Sequence, residues 1–182
     1  MIVILSGPSG VGKDTVIEAW RVVNPLVERV VTVTTRRPRS GETHGRDYVF
    51  VSDQEFRDMA ARGAFLEHKL VHGSWYATPA DEVDRLVAEG KIVVLKIDVQ
   101  GAAEVKKTLP RTVSVFLLPP SLDELRRRLD RRGTDRQDEV DMRLANAEME
   151  IRSAHEYDHQ VVNDNLEETV RRLESIVAQT GA

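Results

Sequence analysis

Residues 1–15 read MIVILSGPSGVGKDT, and the fold follows from how this stretch is parsed. Met1–Leu5 is an apolar run with the length and character of a strand buried on both faces of a parallel sheet. Gly7, Gly10 and Gly12 then punctuate a loop. Lys13 opens a helical segment to about Val23, in which Val16, Ile17, Ala19 and Trp20 make the apolar face. From Gly7 to Lys13 the spacing is that of G-x-x-x-x-G-K-[ST], the phosphate-cradling P-loop, except at its last letter. Glycines let backbone N–H groups converge on phosphate oxygens where side chains would obstruct them, and the helix N-terminus adds partial positive charge. Ser9, Gly10, Val11, Gly12, Lys13, Asp14 and Thr15 are therefore expected around the phosphates of a nucleoside triphosphate, with Lys13 on the terminal ones. The hydroxyl that ordinarily holds Mg²⁺ is missing, because position 14 is Asp.

Around this loop, the 182 residues suffice for one domain with a sizeable core. At 41% hydrophobic and 31% charged, the composition is that of an ordinary globular protein. The absence of cysteine excludes disulfides and thiolate metal sites. No apolar run approaches bilayer length, and the N-terminal IVIL is too short and lacks the basic flank of a signal peptide. A cytoplasmic location with no membrane partner is the expectation. A net charge of −4 argues against a generic nucleic-acid binder. Two groups of Arg are nonetheless dense: Arg36, Arg37 and Arg39, and Arg126, Arg127, Arg128, Arg131 and Arg132. Arg suits bidentate phosphate contacts, although the second group lies on one helix and cannot all face one site.

Further along, Val30–Thr34 reads as a strand, followed by the Arg-, Pro- and Gly-rich loop TTRRPRSGETHGRDYVF and a strand over Tyr48–Val51. Ser52 to Glu55 is a capping box, opening a helix to about Arg62 that ends at Gly63. Phe65–Val71 reads as strand and HGSWYATP as a polar, aromatic loop. Thr78 with Pro79 suggests an N-cap before a helix to Glu89. Lys91–Ile97 is a second buried strand, with Asp98 at the C-terminal end where open α/β sheets place ligands. A helix from about Gly101 to Leu109 and a strand over Thr112–Leu117 follow. A second capping box at Ser121–Glu124 opens the Arg-rich helix, which Gly133 interrupts. A long helix from about Glu139 to His155, a strand at Gln160–Val162 and a helix capped by Asn165 complete the pattern. Strands alternating with helices imply an α/β fold, a central parallel sheet with helices on both faces. The segments at about 32–80 and 121–143 break the alternation, and suggest a substrate-binding insert and a mobile lid.

A P-loop specifies only a nucleoside triphosphate, so the acceptor must be read elsewhere. Thr32, Arg36, Arg39 and Tyr48 offer a hydroxyl, two guanidiniums and a phenol, the makings of an anion clamp. Glu67, in the strand-like FLEH, can accept two hydrogen bonds from an N–H/NH₂ edge such as that of guanine. Tyr76 and Thr78 follow in the next loop, where Thr78 is equally well explained as a helix cap.

With these residues assembled, the sequence resembles the guanylate kinases over nearly its whole length. SGPSGVGK, TVTTRRPRSGETHGRDYVFVSDQEF, FLEH, GSWYATP, IDVQG, LPPS, RRGT, MRL and VVND occur in that family's order and at close to its spacings. The resemblance implies a core of about 1–31, 81–120 and 144–182 that binds ATP, a GMP-binding insert of about 32–80, and a lid of about 121–143. It implies Thr32, Arg36, Arg39, Tyr48 and Tyr76 around the GMP phosphate, with Glu67 and Thr78 on guanine. Lys13, Arg36, Arg132 and Arg143 become the catalytic cations. Arg128 and Asn163 fall on the ATP side, and Asp98 and Asp14 near Mg²⁺. The implied reaction is phosphorylation of GMP or dGMP by ATP, in a monomer or homodimer.

Three positions depart from the family pattern: Asp14 for Ser or Thr, Lys96 for an acid, and Ala77 for Gly. Asp14 and Lys96 are expected either to form a charge pair or to act together, with Asp14 on Mg²⁺ and Lys96 offsetting its charge. An Asp after the P-loop Lys also resembles the ribose 1,5-bisphosphate phosphokinases, so another phosphorylated acceptor stays open. A non-catalytic guanylate-kinase-like binding module is opposed by the presence of Lys13, Arg36, Arg39, Glu67 and Arg143.

Overall fold

In the computed structural model, which describes residues 1–71, 73–130 and 137–180, the opening stretch becomes β1 (Ile2–Ser6), a glycine loop and α1 (Lys13–Val23). The chain continues through β2 (Val27–Arg29), β3 (Val33–Thr34), β4 (Val49–Phe50), α2 (Asp53–Ala61), β5 (Phe65–Val71), β6 (Ser74–Pro79) and α3 (Ala80–Ala88). It then forms β7 (Ile92–Leu95), α4 (Val99–Thr108), β8 (Val113–Leu118), α5 (Leu122–Asp130), α6 (Gln137–Arg152), a 3₁₀ turn at Ser153–Glu156, β9 (His159–Val162) and α7 (Leu166–Thr180).

Five strands make one parallel sheet in the order β2-β7-β1-β8-β9. β1 is its central strand, and successive side chains go to opposite faces. Val3 and Leu5 enter a core with Val16, Ile17 and Trp20 of α1 and Val170, Leu173 and Ile176 of α7. Ile4 enters the core on the other face, with Val83 and Leu86 of α3 and Ala102 and Val105 of α4. Trp20 is fully buried, and its truncation to Ala would cost about 3–5 kcal/mol.

A second sheet, β4-β3-β6-β5, is mixed: β3 and β4 are parallel, the other neighbours antiparallel. Its core is small, with Val33, Phe56 and Ala77 buried and Phe65 and Trp75 against them. Ala77, one of the departures, therefore spends its methyl group on this core.

Several sequence expectations change. Val30–Thr34 is not one strand. Val30 N–H makes the last bond to the large sheet, to Val94 O at 3.1 Å, and Thr32 O already accepts from Val49 N in the small one at 2.9 Å. The stretch passes from one sheet to the other. The loop read over HGSWYATP is largely strand β6: Trp75 and Ala77 pack into the small core while Tyr76 lines the cleft described below. His72 lies outside the described residues. Thr78 is not a helix cap, because Pro79 holds that position and α3 starts one residue later. α4 starts at Val99, earlier than expected, because Asp98 caps it by accepting from Gly101 N at 2.7 Å. α6 starts at Gln137, also earlier. The capping box at Ser52 and Glu55 is present in both directions.

Candidate active site

The phosphate loop depends on glycine where it bends. Gly7 has φ +143°, and a Cβ there would lie 2.4 Å from Leu117 O on β8. Gly12 has φ +102°, and a Cβ would meet the amide of Asn163 at 2.7 Å. Asn163 braces the loop: its Nδ2 donates to Val11 O at 2.8 Å, and its Oδ1 accepts from the Thr169 hydroxyl at 3.1 Å. Arg128 donates to the carbonyls of Asn163 at 3.2 Å and Val11 at 3.3 Å. Val11 itself is fully buried, and its N–H is taken by Pro8 O at 3.2 Å. Three residues expected to contact ATP, Val11, Arg128 and Asn163, thus form the support beneath the loop in this structure. Ser9, Gly10, Gly12, Lys13, Asp14 and Thr15 line the cleft above it. The Lys13 ammonium donates to Gly7 O and Pro8 O, at 3.1 Å to the latter.

Asp14 and Lys96 form an ion pair, with Lys96 Nζ donating to Asp14 Oδ1 at 2.6 Å. Arg29 approaches the same oxygen at 3.8 Å. Burial alone would raise the Asp14 carboxyl, but Lys96, then Arg29 and Lys13, hold it below its ordinary value. The charge-pair alternative is the one realised here. The oxygen expected to face Mg²⁺ is occupied by a cation of the protein itself.

Across the cleft, about 560 Å³ in volume, lies the arginine-rich loop. Arg36 donates to both oxygens of Glu42, at 2.8 and 3.0 Å, and through Nε to Tyr76 Oη at 3.2 Å. Its guanidinium stands 5.2 Å from the ring centroid of Tyr48. This pairing holds the Glu42 carboxyl below the usual range. Thr32, Arg39 and Tyr48 line the same wall, as expected.

Glu67 is buried at 6% exposure. Thr78 donates its hydroxyl to Glu67 Oε1 at 2.6 Å, and a Cβ on Gly101 would come within 2.9 Å of Oε2. Burial pushes the Glu67 carboxyl up to about 7, against the lowering effect of the Thr78 bond and with help from the negative charge of Asp98. Asp98 caps α4 and also lines the cleft, so its structural and metal-side roles are compatible. Arg143 lines the cleft from α6, together with Asn146 and Glu150. Arg132 lies outside the described residues.

Sequence reasoning missed Arg29, Glu42 and Glu150. Glu42 and Arg29 are charged residues whose partners come from spatial neighbours, so spacing carries no trace of them. Glu150 falls seven residues, about two turns, beyond Arg143 on α6 and so on the same face, a periodicity that helical geometry would have flagged. Burial raises its carboxyl, opposed by the charge of Lys13.

Among the described residues, no three His, Cys, Asp or Glu side chains cluster as a metal cage. Mg²⁺ is commonly bound by one or two carboxylates together with phosphate oxygens and water, and Asp98 lines the cleft that holds the phosphate loop.

The sequence model of the family described as Guanylate kinase matches residues 1–180. The guanylate kinase of Thermosynechococcus vestitus is 44% identical over 97% of this chain and 92% of the relative. That of Gloeobacter violaceus is 46% identical over 97% of this chain and 86% of the relative. Among solved structures, guanylate kinase from Anaplasma phagocytophilum superposes with a TM-score of 0.80 at 34% identity, covering 98% of this chain and 85% of that one. Shikimate kinase from Bacteroides thetaiotaomicron, at 18% identity, 98% coverage of each chain and a TM-score of 0.51, shares the fold alone.

Proposed function

This chain belongs to the guanylate kinase family, and we propose that its cleft carries out that family's reaction with ATP over residues 9–15 and GMP between Glu67 and the Arg36 wall. It is an enzyme that phosphorylates GMP with ATP. The observation that carries the reading of the site is the buried Glu67 carboxylate, oriented by Thr78, opening into the same cleft as the phosphate loop.

A carboxylate accepts from the N1–H and N2–H₂ of guanine, whereas adenine presents an acceptor at N1 and would leave Glu67 unpaired. Thr78 occupies one lone pair of Oε1 and fixes the plane of the group. The acceptor phosphate sits against Arg36, Arg39, Tyr48, Tyr76 and Thr32, and Arg36 shares its donors between Glu42 and that phosphate. GMP and dGMP both fit a site that reads the base edge and the phosphate. The ATP phosphates take the loop N–H groups, and Lys13 turns from the carbonyls of Gly7 and Pro8 to the terminal phosphates.

Mg²⁺, held by phosphate oxygens, water and Asp98, would supply charge neutralisation at the β- and γ-phosphates. An oxygen of the GMP phosphate attacks the γ-phosphorus in line. A new O–P bond forms as the bond to the bridging oxygen breaks, and ADP leaves with that electron pair. The nucleophile is already anionic, so no general base is needed. Arg143, with Arg132 from the lid of about 121–143, stabilises charge on the equatorial oxygens. Closure of the lid and of the 32–80 insert over the 1–31, 81–120 and 144–182 core excludes water.

The test is turnover with ATP and Mg²⁺ against GMP, dGMP, AMP, UMP and ribose 1,5-bisphosphate. Preferred turnover of GMP and dGMP is expected. Turnover of ribose 1,5-bisphosphate alone, or of no acceptor, would contradict the assignment.

A further inference from the structure

Lys96 follows β7 directly, and its side chain is 12% exposed. Its ammonium contacts Asp14 on the ATP side and stands 5.4 Å from the centroid of the Tyr48 ring on the GMP side. Arg36 stands 5.2 Å from the same ring. Two cations from different parts of the chain therefore converge on one aromatic residue of the acceptor wall. Each is matched by a carboxylate, Glu42 for Arg36 and Asp14 for Lys96.

The two pairs differ in burial. Glu42 is 19% exposed and grips Arg36 through both oxygens. Asp14 is 66% exposed and divides one oxygen between Lys96 and Arg29. A carboxylate that opens on the cleft and offers one shared oxygen holds an ammonium less firmly than one that grips its cation through both, because water and salt reach the pair. A phosphate dianion entering the cleft carries more charge and several acceptor oxygens, and competes for the same ammonium with advantage. The Lys96 stem is enclosed and its head faces the cleft, so it need rotate only at its tip.

We propose that Lys96 is a further ligand of the acceptor phosphate, one more cation in the clamp of Arg36, Arg39, Tyr48 and Tyr76, and that Asp14 is a positioning residue holding its ammonium at the cleft until the phosphate arrives. This rests on reading the cleft as the GMP site. It gives the two departures at positions 14 and 96 one purpose: the charge added at 96 serves the acceptor, and the charge added at 14 keeps it in place.

The alternative role, a counter-ion for Asp14 and nothing more, is separable by a binding cycle. GMP and guanosine are titrated calorimetrically, without ATP or metal, against the unmodified protein, Lys96→Met, Asp14→Ser and the double variant. The double variant removes both members of the Lys96–Asp14 pair together, and Arg29, which then loses its contact with Asp14, keeps its bond to Arg46 O at 2.7 Å; thermal denaturation of all four proteins checks that they fold. Lys96→Met should weaken GMP about tenfold, the scale of one charge-assisted bond, and leave guanosine unchanged. A smaller loss, because nothing then holds the ammonium at the cleft, should still separate Asp14→Ser from the double variant, and an equal loss would overturn the positioning role of Asp14. Unchanged GMP affinity in Lys96→Met, or a loss that vanishes in the Asp14→Ser background, would overturn the proposal alone. Equal binding of GMP and guanosine by the unmodified protein would contradict the clamp itself, and the Lys96 role with it.

Discussion

Glu67 is a carboxylate kept where a carboxylate is uncomfortable. Its folded-state value of about 7 stands well above the ordinary 4.5, because burial disfavours its charge. Below pH 4.5 the protonated group favours the folded state, and that contribution is lost as pH rises through 7. Glu67→Gln, which carries no charge at any pH, should therefore stabilise the protein by up to about 3 kcal/mol at pH 8 and by far less at pH 4.5. Denaturant titrations of both proteins at the two pH values check this. If Glu67 reads guanine as proposed, binding needs its ionised form, so KM for GMP should rise as pH falls below about 7, with KM for ATP much less affected; initial-rate measurements between pH 6 and 8 check that. Glu67 was legible in the sequence because an acid in an apolar strand needs a reason. Its partner Thr78 was ambiguous, because Thr before Pro reads equally well as a helix cap. The Asp14–Lys96 pair was legible as two compensating departures. The part played by Arg29 was hidden, since nothing local distinguishes it from a solvated strand residue.

At the level of elements, the phosphate loop is shaped by its own glycines and held by residues far along the chain. Asn163 is buried at 7% exposure, and both ends of its amide are engaged. Asn163→Ala should cost about 1–3 kcal/mol by leaving buried groups short of a partner, and should raise KM for ATP by loosening the loop. Thermal denaturation and ATP saturation curves measure the two effects. The buried parallel strands were legible from β-branched and apolar runs. β6 was not, because Gly73, the aromatic residues and Pro79 resemble loop chemistry, while the alternation of Trp75 and Ala77 against Tyr76 has meaning only once the small core is known.

In the whole molecule, a large parallel sheet with apolar cores on both faces carries a small mixed sheet whose own apolar core centres on Val33, Phe56 and Ala77. Elements with little buried area open at lower free energy. Amide exchange should therefore be faster in β3–β6 than in β1, β7 and β8, and GMP should slow it in β5 and β6; exchange followed by mass spectrometry with and without GMP reads both. The alternation of strands and helices made the large sheet and the place of the insert readable. The small sheet's topology was not, because its parallel β3–β4 pairing arises from a crossing that no periodicity announces. What joins the two parts is the cleft, with the phosphate loop on one side and Glu67 on the other. The central claim is that Glu67 makes the acceptor guanine. The most direct measurement is the ratio of kcat/KM for GMP to that for AMP, before and after Glu67→Ala. The ratio should fall by about 10²-fold or more; a ratio that survives the substitution unchanged would contradict the account.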